Sequence, residues 1–285
     1  MKVLVTGANG QLGYDVCRVL SARGIEHRGV DVCDFDITDS DKVLRFVFSY
    51  RPTAIIHCAG YTAVDRAEDE ATRCFLINAD GTANLAHAAK EVGAKLLYIS
   101  TDYVFSGEGE HFHEVDEPTE PLSVYGKSKL LGENFVRNTL DRHFIVRISW
   151  LFGVGGANFV RTMLELSRTR KDLRVVCDQI GSPTYSLDLA RLLCDMIVTE
   201  RYGTYHATNE GICSWAEFAE QIMRLAGRDT RVNPVPSEEY PTRAIRPRNS
   251  RLSKRALTDA GFSPLPDWRD ALERYLAELA QQTNQ

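Results

Sequence analysis

The amino-acid sequence predicts an α/β fold: a doubly wound parallel sheet carrying a smaller C-terminal lobe. Three observations carry that expectation. Short apolar runs alternate with helix-periodic segments over the first 150 or so of the 285 residues, a rhythm that builds parallel strands covered by helices on both faces. The first apolar run opens at once into a glycine-spaced turn and a helix. Beyond Trp150 the rhythm loosens, and 233–247 is rich in Pro and charge, which places a second, less regular lobe there.

The elements follow in order. Lys2–Thr6 (KVLVT) reads as a strand, Gly7-Ala-Asn-Gly10-Gln-Leu-Gly13 as the turn, and Val16, Val19 and Leu20 recur at helical spacing. This is the opening unit of a Rossmann-type fold. A strand is expected near 28–31, a helix over 40–50, a strand over 54–57, a long helix over 74–92 and a strand over 95–99. A helix should then run from Tyr125 to about Asn138, with a strand over 144–148 behind it. Helices near 158–169, 187–199 and 215–225 alternate with short strands in the remainder. The domain expectation is therefore a nucleotide-binding unit over 1–149 and a mainly substrate-binding lobe over 150–285, with 185–200 packing back on the first unit. No internal repeat or low-complexity segment is visible, so solenoid architectures are set aside.

Composition excludes several classes. A hydrophobic content of 44% supports a buried core, and a net charge of −5 without dense runs of Lys or Arg argues against nucleic acid or an anionic membrane as partner. No stretch of 18 apolar residues and no signal-like leader are present, so a cytoplasmic chain is expected. The seven cysteines are scattered without Cys-x-x-Cys or zinc-ligand spacing and read as small buried hydrophobes in a reducing compartment.

Chemistry concentrates at strand ends. Glycines at Gly7, Gly10 and Gly13 let the backbone approach a pyrophosphate at a helix N-terminus, although the Gly-x-x-Gly-x-x-Gly spacing differs from Gly-x-Gly-x-x-Gly. Asp31, about 20 residues further on, can accept from an adenosine ribose, and Asp36-Ile37 can reach the adenine. Asp39 equally suits an N-cap. His57-Cys-Ala-Gly60 follows the third strand with small residues that allow close approach, His57 supporting the strand end. Thr101 and its neighbour Asp102 end the fourth strand, where a hydroxyl can hold a substrate carbonyl. Tyr125 and Lys129 share a helix face four residues apart, and the cation is expected to pull the phenol down from about 10 toward neutrality, making it a proton donor. Trp150 after the last expected strand offers an apolar wall, and Arg246 and Arg248, in a cluster with Arg243 and Arg251, suit an anionic group. His111 and His113 lie in a charged loop among glutamates, where solvation outweighs a metal, so no metal is expected.

Together these motifs resemble the extended short-chain dehydrogenase/reductases, and within them the dTDP-4-dehydrorhamnose reductases. The resemblance rests on Gly7–Gly13, Tyr61-Thr-Ala-Val-Asp65, Ser100-Thr-Asp-Tyr-Val-Phe105, Tyr125-Gly-Lys-Ser-Lys129, Arg147-Ile-Ser-Trp150, Asp178-Gln-Ile-Gly-Ser-Pro-Thr184 and Arg246-Pro-Arg-Asn-Ser250, in register almost end to end. It implies a catalytic set of Thr101, Tyr125 and Lys129, with Val64 and Trp150 beside the sugar. It implies NADPH or NADH held by Gly10, Gln11, Leu12, Asp31, Asp36, Ile37, Ala59, Gly60, Thr62 and Ser100, with Tyr125 and Lys129 reaching the same cofactor. The implied reaction is reduction of the 4-keto group of dTDP-4-dehydro-β-L-rhamnose to dTDP-β-L-rhamnose. Some members of the family are magnesium-linked dimers; a homodimer is therefore an expectation here, but the sequence offers no acidic spacing for the metal.

Other readings weigh less. Sugar-nucleotide 4,6-dehydratases carry Thr-Asp-Glu where this chain has Thr101-Asp102-Tyr103, so the second carboxyl that elimination needs is missing. A 4-epimerase, a reductase of another nucleotide-linked 4-keto-deoxysugar, and a binding protein resembling the regulatory subunit of methionine adenosyltransferase are the remaining alternatives.

Overall fold

A computed structural model describes residues 1–283. Its centre is a six-stranded sheet whose inner strands are buried and largely apolar because helices cover both faces. In β1 (Lys2–Thr6) the residues Val3, Leu4 and Val5 are fully buried, and β3 (Ala54–His57) and β4 (Lys95–Thr101) are buried throughout. Strand β5 (His143–Ile148) is buried after its first residue, whereas β2 (Glu26–Val30) buries only Val30 and lies at the edge. The order is Gly203–His206, β5, β4, β3, β1, β2, with every pair parallel. Because β1 has β2 on one side and β3 on the other, the chain leaves it in opposite directions. That reversal opens a crevice above the carboxyl ends of the strands.

Helix α1 (Gln11–Ala22) packs its Leu12, Val16 and Leu20 on one face of the sheet beside Leu189, Leu193 and Ile197 of the Ser186–Ile197 helix. On the other face, Val43 and Val47 of α2 (Ser40–Tyr50) meet Leu85 and Ala89 of the Gly81–Glu91 helix and Val136 of the Val124–Thr139 helix. Asp39 caps α2 by accepting from the Lys42 amide at 3.1 Å. A second core gathers Phe152, Val160, Phe218, Ile222, Trp268, Leu272 and Tyr275, all from beyond residue 150. Within that later half, the Ser186–Ile197 helix and strand Gly203–His206 belong to the first core and the main sheet.

Several details depart from the sequence expectation. The single helix expected over 74–92 is Ala71–Phe75, a π-helical turn at Leu76–Asp80, and Gly81–Glu91. The wider turn rotates one residue out of the ordinary helical phase, and its Asn78 is buried. The sequence reading also placed nothing at Gly203–His206 or at the C-terminal Trp268–Thr283 helix. Cys74, Cys194 and Cys213 are buried and Cys17, Cys58 and Cys177 half-buried, but Cys33 is exposed, because it lies in the loop after the edge strand. Among the described residues no helix is long and apolar enough to cross a membrane.

Candidate active site

The crevice is a cleft of about 780 Å³. It is walled by the glycine loop, the ends of β1 to β5, and the start of the Val124–Thr139 helix. Gly7, Gly10, Gln11, Leu12, Asp31, Asp36, Ile37, Ala59, Gly60, Thr62 and Ser100 all line it. So do Val64, Thr101, Asp102, Tyr125, Lys129 and Trp150. Arg246 and Arg248 do not. Arg246 is held by Asp65 through two hydrogen bonds of 2.9 and 2.6 Å, and Arg248 pairs with Glu238. Arg73 lines the cleft without any motif having pointed to it.

At the end of the cleft expected to hold the cofactor, the backbone shapes the wall. Gly7 sits at φ 69°, and a Cβ on it would lie 2.7 Å from the Ala59 amide nitrogen. A Cβ on Gly13 would lie 2.1 Å from the Gly7 carbonyl oxygen, so this glycine lets α1 settle against its own loop. Gly10 is the N-cap and brings no side-chain cap to the first amides of α1, which leaves that helix end to an anion. A dinucleotide pyrophosphate fits such a cradle. Asp31 accepts from the Asn9 amide at 3.1 Å and the Val32 amide at 2.8 Å, tying the loop to the end of β2. Each carboxylate oxygen retains a lone pair for a ribose hydroxyl. Asp36 instead accepts from the Thr38 amide and hydroxyl at 2.9 and 2.8 Å, while Ile37 packs against Gly81.

The floor is an ordered set of buried polar groups. His57 lies between Thr6 Oγ1 at 2.7 Å and Thr82 Oγ1 at 3.1 Å. Burial, with the nearby Lys129 charge, drops its pKa to about 3, so it stays a neutral strut at the strand end. Asn78, delivered by the π-helical turn, accepts from the Tyr61 amide at 2.7 Å and donates to Tyr61 O at 3.0 Å and Ser128 Oγ at 2.9 Å. It thereby fixes the Gly60–Tyr61 turn to the Val124–Thr139 helix; no sequence motif marked it. Glu133, one turn beyond Lys129, receives two bonds of 2.9 Å from the buried Arg147. Burial pushes the Glu133 carboxyl up, but those bonds and the charges of Arg147 and Arg137 outweigh it and hold the group ionised.

Thr101, Tyr125 and Lys129 all line the cleft. Ser123 caps the helix that carries the latter two, accepting from the Gly126 amide at 3.1 Å. Thr101 is a hydrogen-bond partner of the phenol of Tyr125 and donates to Asp102 Oδ1 at 2.9 Å; the Tyr103 ring meets that of Tyr125 edge-on at 5.5 Å. Ser250 donates to Asp102 Oδ2 at 2.5 Å, and burial raises the Asp102 carboxyl to about 6 against the pull of Ser250 and Thr101.

The charge states correct one expectation. The Tyr125 phenol is pushed up, not down: burial dominates, the Thr101 bond opposes it, and the Asp102 charge adds to it. Lys129 is itself lowered to about 7 by burial, with Glu133 pulling the other way, and its Nζ lies 4.1 Å from the centre of the Tyr98 ring. Desolvation penalises the charged form of both groups, and in this dry floor it is the dominant cause of both shifts.

At the wall expected to face the sugar, Trp150 holds a left-handed backbone at φ 49° and stacks on Trp215 with ring centres 3.8 Å apart. Gly181 permits this, since a Cβ there would lie 3.0 Å from the Trp150 ring. The expectation of an apolar wall thus becomes a two-indole platform, its second ring supplied from 65 residues away.

Comparison with known proteins follows the same lines. The family model described as RmlD substrate binding domain matches residues 1–281. The spore coat polysaccharide biosynthesis protein SpsK of Bacillus subtilis (strain 168) is 44% identical, over 97% of this chain and 97% of its own. The dTDP-4-dehydrorhamnose reductase of Streptomyces griseus is 42% identical over 94% of this chain and 91% of its own. A crystal structure of dTDP-4-dehydrorhamnose reductase from Bacillus anthracis in complex with NADP superposes with a TM-score of 0.95 at 44% identity, covering 97% of this chain and 99% of that one.

Proposed function

The chain belongs to the RmlD substrate binding domain family, and from that premise we propose that it reduces dTDP-4-dehydro-β-L-rhamnose to dTDP-β-L-rhamnose with NADPH or NADH. The observation that carries the reading is the convergence of Thr101, Tyr125 and Lys129 in one cleft with an uncapped, glycine-built helix end. A nicotinamide cofactor bound along that loop supplies the hydride for C4 of the sugar. Thr101, on turning its hydroxyl from Asp102 to the ketone oxygen, and Tyr125 hold that oxygen between two hydroxyls, so that charge developing on O4 meets a hydrogen bond on each side. Tyr125, held as a neutral phenol by burial, releases its proton to O4 as that oxygen becomes strongly basic. Lys129 in its ammonium form would donate to a ribose hydroxyl and bring a positive charge to the same cleft, favouring the phenolate left behind. The Trp150–Trp215 platform excludes water and receives the 6-methyl group.

Arg246 serves the diphosphate in this reading only by leaving Asp65, with which it is paired here. Cytoplasmic work and a homodimeric state belong to the same proposal and are checked by fractionation and light scattering. The reading is tested by mixing purified protein with the 4-keto sugar nucleotide and NADPH or NADH and following the nicotinamide absorbance. No loss of absorbance with either cofactor would sink it, and would favour a protein that acts by binding alone.

A further inference from the structure

Outside the cleft, one side-chain cluster has an arrangement that its own hydrogen bonds do not satisfy. His111, His113 and Glu117 bring their ligand atoms within 4.8 Å of one another. His113 is buried, stacked on Phe105 with ring centres 4.4 Å apart and planes 5° from parallel. Its Nε2 faces the Asn249 carbonyl oxygen at 3.3 Å, and a carbonyl can only accept, so Nε2 carries the hydrogen. In a neutral imidazole the lone pair is then on Nδ1, which points at Glu117 Oε1 from 2.9 Å. His111 Nε2 approaches the same oxygen at 3.0 Å. Two electron pairs this close require a cation between them, either a proton or a metal ion.

We propose that His113 Nδ1, His111 Nε2 and the Glu117 carboxylate form a site for a zinc-class divalent cation, with water completing a tetrahedron. Two imidazoles and one carboxylate are a common borderline donor set, with bond lengths of about 2.0–2.2 Å. Such bonds set ligand atoms about 3.3 Å apart. The separations of 2.9 and 3.0 Å to Glu117 Oε1 open toward that value while the two imidazole nitrogens, within 4.8 Å, adjust to it, and His111, exposed on the loop, has the freedom to move. The supporting contacts suit a ligand set: the His113 N–H meets a backbone carbonyl, and the Glu114 amide donates to Glu117 Oε2 at 3.2 Å.

The ion would act on the segment that closes the back of the active site. The loop carrying the cluster pairs with 249–253 through His113 N to Arg251 O at 2.8 Å and Ser253 N to His113 O at 2.9 Å. Asn249 Nδ2 donates to His111 O at 2.8 Å. Ser250, in the middle of that segment, is the donor to Asp102. The bound cation therefore locks the strand that orients Asp102 beside Thr101.

The test uses the full chain stripped with a chelator and titrated with Zn²⁺ by calorimetry and with Co²⁺ by visible absorption. One ion per chain, with the intense d–d bands of tetrahedral cobalt, is expected. Binding should weaken at least tenfold in His111→Ala and in Glu117→Gln, both of which retain all seven cysteines. Hydrogen exchange at residues 249–252 should slow on adding zinc to the parent protein and not to His111→Ala. No uptake of either ion, or uptake that both variants share unchanged, overturns the site and leaves a protonated imidazole as the occupant. Uptake without slowed exchange overturns the lock.

Discussion

The two ends of the cleft are built from different materials. The cofactor end is backbone: the glycine turn and the amides of α1, with Asp31 reached 21 residues after Gly10, all within one strand–turn–helix–strand unit. The proposed catalytic end is side chains: Thr101 and Arg147 from two neighbouring strands, Tyr125, Lys129 and Glu133 from one helix, and Ser250 from a segment more than 100 residues further on share a desolvated floor. Backbone chemistry is set locally and tolerates change in the rest of the chain. Side-chain chemistry depends on what buries it. Removing one atom should therefore hurt most at the catalytic end. Tyr125→Phe deletes only the phenol oxygen from a position the ring already fills, and kcat should fall on the order of 10²–10⁴-fold with cofactor affinity retained. Stopped-flow turnover with separately titrated cofactor checks this; near-parental turnover would remove Tyr125 from its role.

The same division explains what the sequence made legible. Gly7, Gly10, Gly13 and Asp31 could be located from spacing alone because one local unit contains them and each acts through close approach or a strand end. Most of the central strands were equally plain, since burial on both faces demands uninterrupted apolar runs. What stayed hidden was set by partners distant in the chain. Gly203–His206 is a four-residue edge strand whose pairing partner, not its composition, makes it a strand. Asn78 gains its position from a π-helical turn that helical periodicity does not distinguish from an ordinary one. The spacing of Tyr125 and Lys129 gave their proximity, but the sign of the Tyr125 shift depends on burial, which no four-residue pattern contains. Arg246 was readable as a free cation, whereas Asp65, 181 positions earlier, engages it.

A backbone site breaks differently, by steric occupation. Gly13→Val would drive a branched side chain into the Gly7 carbonyl, which already stands 2.1 Å from a single Cβ. The loop must move away from α1, and cofactor affinity should drop on the order of 10²-fold, while circular dichroism and the melting transition report a retained fold. If fluorescence titration returned parental affinity, the cradle would not be where the pyrophosphate binds.

The catalytic end should also respond to pH where the cofactor end does not. Lys129 is an ammonium below about 7 and an amine above it, because burial has lowered its pKa from the usual lysine range. Tyr125 remains a phenol across that interval. The acid form of Lys129 supports the phenolate that proton transfer leaves, so kcat/KM should be level at low pH and fall about tenfold per unit once pH passes about 7. Lys129→Met should be slower and should lose that inflection. A profile with the inflection intact in the variant would assign the ionisation to another group.

The finest distinction lies at the far edge of the cofactor end. Asp31 spends part of its carboxylate on the Asn9 and Val32 amides and leaves the remaining lone pairs facing the cleft. A ribose bearing a free 2′-hydroxyl gains a hydrogen bond there, whereas a 2′-phosphate meets a like charge. Asp31→Ala removes both effects together: NADH should lose affinity by roughly tenfold, about 1.4 kcal/mol, while NADPH should lose less or gain. Comparing the two dissociation constants in parent and variant cancels any general loosening of the loop, because the Asn9 tether is lost for both cofactors alike. Equal losses would mean that Asp31 acts only through the loop, making even this charged group part of the backbone architecture.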